Sequence, residues 1–155
     1  MLKLSLWDLF LGAIPEDIIF IFGVYILTNT IINKKKILIT GIISGVLVYL
    51  IRFLPIYMGV HLLFLMIIIT LLLVFVNKIS IVKIIPALLI LVITRLVTEA
   101  ISIFVLTDIL NISIESFINN TLLKTLYLIP SLLLFALIVY IIYKTKYNPD
   151  EGEMK

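Results

Sequence analysis

Four polar side chains lie at helical spacing inside the apolar run of residues 84–106: Arg95, Thr98, Glu99 and Ser102. Residues three, four and seven positions apart share one face of an α-helix, so these side chains form one polar stripe. An ionisable side chain at the bilayer midplane costs about 2.5–3.5 kcal/mol on insertion scales, so it needs a partner or a function. One interpretation is an intramembrane site for a ligand or a switching ion pair. The other is an Arg–Glu pair that only joins this helix to its neighbours.

A second group of polar residues surrounds a predicted external turn. Arg52 and His61 flank the segment 53–60, which contains a proline and a glycine. Together with Glu16 and Asp17 they could line a shallow, outward-facing ligand pocket. The alternative is that these side chains only reach toward the headgroup region, as residues at a membrane interface commonly do.

Several kinds of chemistry are excluded by residue type. The chain has no cysteine and one histidine, which excludes thiolate nucleophiles, disulfides and multi-histidine metal sites. We find no nucleophile–base pair, no glycine-rich phosphate loop and no platform for stacking nucleic-acid bases. We therefore expect no enzyme activity, no cofactor, no metal ion and no nucleic-acid partner.

The composition indicates which surroundings position these residues. The 155 residues are 63% hydrophobic and 14% charged, whereas a soluble domain is about 45–50% apolar and about 25% charged. A membrane-spanning helix needs about 20 mostly apolar residues. The sequence therefore predicts an all-α, polytopic integral membrane bundle, located in the cell membrane as a multi-pass protein with the lipid bilayer around it.

Five spans are predicted in a membrane domain of residues 1–144, with a short cytoplasmic tail over residues 145–155. The spans cover residues 15–32, 37–54, 60–76, 81–106 and 127–143. Lysines concentrate in alternate connections and in the tail, and basic residues favour the cytoplasmic side. The N-terminus is therefore predicted outside and the C-terminus inside.

The second span contains a pair of glycines four residues apart, Gly41 and Gly45. Small residues at this spacing let two helices approach closely. The motif predicts either packing between helices of one chain or the contact of a homodimer.

Two segments carry a resemblance to a known family: the stretch 48–61, with Arg-Phe-Leu-Pro and Gly-Val-His elements, and the opening Ala-Ile-Pro-Glu-Asp of residues 13–17. Both resemble the N-terminal membrane module of clostridial receptor histidine kinases of the accessory-gene-regulator and sporulation-related type. The resemblance implies a helical bundle that faces outward for a signal, often a peptide. It places Arg52 to Pro55 and Gly59 to His61 on the family's elements.

The chain lacks the phospho-acceptor region and the ATP-binding domain that follow this module in such kinases. The sequence therefore predicts a signal-receiving or regulatory module that acts by binding a ligand, or a membrane or cytoplasmic protein partner. A stand-alone protein and the membrane part of a longer one are both open. The alternative functions are a small transporter component, such as the substrate-binding subunit of a multi-subunit importer, and a structural assembly factor.

Overall fold

The computed structural model describes residues 8–51, 58–109 and 121–147, and every regular element in these ranges is helical. Five α-helices follow one another along the described chain: α1 (Ile14–Leu27), α2 (Lys34–Ile51), α3 (Met58–Phe75), α4 (Ile81–Phe104) and α5 (Thr121–Lys146). π-helical turns precede α1 over Asp8–Ala13 and extend α4 over Val105–Ile109. The predicted all-helical class is confirmed for this part of the chain.

The first helix has a clear stop signal, whereas at its start the helical backbone continues from the π-helical turns: Ala13 has φ −59° and ψ −47° and no side-chain cap. Pro15, Glu16 and Asp17 occupy the first turn of α1. At the other end, Asn29 adopts a left-handed backbone conformation with φ 51°. The amide of Asn29 donates to the carbonyl of Ile26 (3.1 Å) and that of Thr30 to the carbonyl of Tyr25 (2.9 Å), a Schellman motif. This motif ends α1 at Leu27, before residue 32, where the sequence predicted the end of the first span.

Three helical stretches are long and apolar enough to cross a bilayer: Leu9–Leu27, Ile81–Asp108 and Ile129–Lys146. The apolar part of α2 is shorter, because its 18 residues begin with three lysines. Among the residues of α3 whose side chains the structure describes, Leu63–Phe75 forms an uninterrupted apolar stretch. The described residues thus contain three helices that could span a membrane, compared with five spans predicted from the sequence.

Along α4 the bundle exposes apolar side chains and buries several polar ones. On α4, Ile93 and Val97 are half or more exposed, whereas Arg95, Thr98 and Ser102 are buried. Soluble proteins rarely expose large continuous apolar surfaces. A helix whose apolar face points outward and whose polar stripe points inward is compatible with a membrane protein.

The first helix forms the centre of the bundle, since it packs against α2, α4 and α5. Its contact with α2 is made through the glycine pair. A Cβ atom on Gly41 would lie 3.0 Å from the Cα of Ile18, and one on Gly45 would lie 2.8 Å from the Cα of Ile14. The structure therefore places both glycines in a close helix contact within one chain.

Candidate functional site

An ion pair between α1 and α4 is the centre of the candidate site. The Nε atom of Arg95 donates to Oε1 of Glu16 at 2.6 Å, and the two side chains are 10% and 16% exposed. Sequence analysis assigned Glu16 to an external pocket and Arg95 to an intramembrane stripe. The structure brings one residue of each predicted group together in an ion pair.

The fifth helix closes the site from a third side. Nη1 of Arg95 donates to the hydroxyl of Ser131, at 3.3 Å, and Ser131 is buried. Sequence analysis missed this residue. Ser131 is the only hydroxyl-bearing residue between Leu128 and Val139. Its isolation in an apolar stretch was the available signal for a buried polar contact.

Glu99 is a more distant partner of the same guanidinium. Its Oε2 lies 3.9 Å from Nη1 of Arg95, and its side chain is 41% exposed. The intrahelical pair predicted from the sequence is therefore the looser of the two ion pairs. Arg95 turns toward α1 because its side chain lies in the contact between α1 and α4, whereas Glu99 lies near the edge of that contact. The arginine thus lies between a largely buried carboxylate, Glu16, and a more exposed one, Glu99.

The two hydroxyl residues of the predicted stripe differ in their bonding. The hydroxyl of Thr98 donates to the carbonyl of Arg95 at 2.8 Å, so it is satisfied by its own helix. The hydroxyl of Ser102 is buried and has no hydrogen-bond partner among the described residues. A buried, unsatisfied polar group costs about 1–3 kcal/mol. Ser102 is therefore a buried hydroxyl on α4 whose hydrogen-bonding capacity the described residues leave unused.

A second buried acid lies next to the ion pair but faces another helix. Oδ2 of Asp17 accepts a hydrogen bond from the hydroxyl of Ser44, at 2.6 Å. Both residues are almost completely buried. Ser44 lies between Gly41 and Gly45, so the close contact of α1 and α2 brings its hydroxyl to Asp17.

The predicted external pocket is only partly described. Glu16 and Asp17 lie in helix contacts inside the bundle, which differs from the shallow pocket that the sequence suggested. The reason is that successive residues of a helix point about 100° apart, so the two acids face α4 and α2 respectively. Arg52 lies outside the described residues. For His61 the structure describes the backbone, in the first turn of α3, and not the side chain.

A separate polar cluster joins three parts of the bundle. The hydroxyl of Tyr25 donates to Oδ1 of Asn77 at 2.5 Å, and Nδ2 of Asn77 donates to the hydroxyl of Thr40 at 3.0 Å. All three residues are buried. They belong to α1, to the turn after α3 and to α2, so the cluster ties these elements together. The sequence analysis did not single out any of the three.

No protein-family model, curated protein or solved structure matches this chain. The class of protein is therefore defined by the architecture: an all-helical protein whose described residues include three helices that could span a membrane. The resemblance to receptor histidine kinase modules stays a prediction.

Proposed function

We propose that this chain is a multi-pass membrane module that receives a signal by binding a ligand or a protein partner. The Glu16–Arg95 ion pair is its responsive element. The observation that carries the proposal is this pair itself, a short contact between oppositely charged side chains of two helices.

A role beyond stability is supported by the energetics of such pairs. Buried ion pairs are weak contributors to stability, because desolvation of both charges offsets their attraction. Ionisable residues inside membrane helices are costly and rare, which makes a functional site the first hypothesis for them. A role for the Glu16–Arg95 pair that fits these energetics is a contact between two helices that forms in one state of the protein and breaks in another.

The arrangement offers a way to switch. A receptor needs two states and a ligand that binds one of them better. Arg95 is held 2.6 Å from Glu16 and has Glu99 at 3.9 Å on its own helix. If the guanidinium turns toward Glu99, α4 releases its charged contact with α1. A ligand that binds Glu16 better when the ion pair is open favours this released state.

The proposal includes five spans with the N-terminus outside. Lys83 lies in the first turn of α4, and Arg95 follows 12 residues later, roughly 18 Å along the helix axis. The hydrocarbon core is about 30 Å thick, so the ion pair falls in the half of the bundle away from Lys83. Basic residues favour the cytoplasmic side, which supports a site in the outer half, open to external signals.

We expect fusions at Lys155 to report a cytoplasmic C-terminus. A fluorescent protein that matures only in the cytoplasm should be bright, and alkaline phosphatase in its place should be inactive. Matched fusions after Ile51, the last residue of α2, should show the reverse. Active phosphatase at Lys155 would contradict the proposed orientation.

The receptor function is tested by identifying the partner. A photo-cross-linking residue in place of Tyr140, which is exposed on α5, would capture neighbours in native membranes. We expect a captured protein that carries a signalling output domain. Glu16→Gln should then change the activity of that partner, because it weakens the contact between α1 and α4.

The matched control for this experiment is Thr94→Val. Thr94 precedes Arg95 on α4, and its hydroxyl bonds the carbonyl of Ile90 in its own helix. This variant should leave the partner's activity unchanged. Capture of an importer ATPase would overturn the receptor function in favour of a transport component. If a signalling partner is captured and its activity is unchanged by Glu16→Gln, the proposed role of the ion pair is wrong.

A further inference from the structure

A groove on the outside of the bundle lies between α1 and α2, away from the ion pair. It encloses about 240 Å³. Apolar side chains of α1, of α2 and of the connection between them form its walls, and Lys34 is its one charged lining residue. The lining residues are Ile18, Ile19, Phe22, Ile32, Lys34, Ile37 and Leu38. The groove is therefore an apolar channel with a cationic end.

We propose that this groove binds one anionic phospholipid, with an acyl chain along α1 and α2 and the phosphate at Lys34. This inference rests on the proposed membrane location and is independent of signal reception. The charge complementarity of the site selects an anionic headgroup, because Lys34, Lys35 and Lys36 are all exposed at this end of α2.

The position of the groove supports a lipid of the cytoplasmic leaflet. Lys78, Lys83 and Lys144 are also exposed, and they lie at the ends of α3, α4 and α5 that the proposed topology places in the cytoplasm. Anionic lipids give this leaflet a negative surface potential. In the proposed topology, Lys34 at the end of the groove therefore lies at the level of the anionic headgroups of the cytoplasmic leaflet.

The apolar part of the groove explains why a lipid is expected and a soluble anion is not. Leu38 is 51% exposed beside Ile19 and Phe22, and none of these side chains offers a hydrogen bond to a headgroup. Their surface is buried when an acyl chain lies against them. Such a contact holds one lipid in a defined place, whereas lysines alone would attract headgroups without a fixed position.

The test counts lipids bound to the purified full chain by native mass spectrometry. The probes are phosphatidylglycerol and phosphatidylcholine with identical acyl chains. We expect one phosphatidylglycerol to stay bound at collision energies that remove phosphatidylcholine. An attraction of about 1 kcal/mol per lysine corresponds to about a fivefold loss of phosphatidylglycerol affinity in Lys34→Gln. Lys83→Gln, an exposed lysine outside the groove, should change the affinity less than twofold.

A second variant tests the acyl-chain part of the site. Leu38→Trp fills the groove from a half-exposed position, so the fold should tolerate it, and we expect loss of the bound phosphatidylglycerol. Glycerol phosphate, which has the charge and no acyl chain, should not displace the lipid. Equal losses in Lys34→Gln and Lys83→Gln, lipid retained in Leu38→Trp, or displacement by glycerol phosphate would each overturn the proposal.

Discussion

Replacing Arg95 by methionine should lower the free energy of unfolding by about 3 kcal/mol, the low end of the loss for breaking a buried ion pair. The physical reason is that Arg95→Met keeps most of the side-chain volume and leaves the carboxylate of Glu16 in the bundle without its cation. Glu16→Gln should cost less, because the guanidinium keeps Glu99 as a second carboxylate at 3.9 Å. Unfolding in mixed micelles, followed by circular dichroism, measures both losses.

A double-mutant cycle separates the two carboxylates. Residues in direct contact show coupling energies of about 0.5–3 kcal/mol, so Arg95→Met and Glu16→Gln together should cost less than the sum of their single effects. The cycle of Arg95→Met with Glu99→Gln should give a smaller coupling, because Glu99 is 41% exposed and lies 3.9 Å from the guanidinium.

Thr94→Val is the matched control on α4, since its hydroxyl contacts only its own helix. It should leave the free energy of unfolding within about 0.5 kcal/mol of the wild-type value. A larger coupling for Glu99 than for Glu16 would show that the intrahelical pair dominates in the membrane. Strict additivity in both cycles would show that Arg95 depends on neither carboxylate.

Gly45→Ala should be among the most destabilising single-methyl additions in this chain, at about 1–3 kcal/mol, the cost of overpacking a tight contact. The added methyl would lie 2.8 Å from the Cα of Ile14, and a backbone atom cannot rotate away. Gly23→Ala should cost less, because its methyl would meet the side chain of Leu91, at 2.7 Å, which can change rotamer. Gly12→Ala is the control, with no atom within 4 Å of the new methyl.

Shortening the isoleucine side chain opposite each glycine tests whether the added methyl meets a side chain or the backbone. At Gly41 the nearest atom is Cγ1 of Ile18, at 2.5 Å, so Ile18→Ala should partly rescue Gly41→Ala. At Gly45 the nearest atom belongs to the backbone, so Ile14→Ala should not rescue Gly45→Ala. The measurement is again the free energy of unfolding in mixed micelles. Equal costs for Gly12→Ala and Gly45→Ala would contradict the close contact of α1 and α2.

The amino-acid sequence by itself determined the features that depend on neighbouring residues. Hydrophobic runs predicted an all-helical chain, and the spacing of Arg95, Thr98, Glu99 and Ser102 predicted one polar face on α4. Both depend on helical periodicity and composition, which are properties of a local stretch. Three of these four residues are buried in the bundle, and the side chain of Glu99 is 41% exposed.

Only the tertiary structure decided which residues meet across helices. Arg95 and Glu16 are 79 positions apart, and Tyr25 and Asn77 are 52 apart. The sequence showed only the local partner of Arg95, Glu99 at i+4, because periodicity says which face a residue occupies and not which helix lies opposite. The rotation and neighbours of α1 are set by its close contact with α2 at Gly41 and by packing against α4. Because of that packing, Glu16, which the sequence assigned to an external pocket, contacts Arg95.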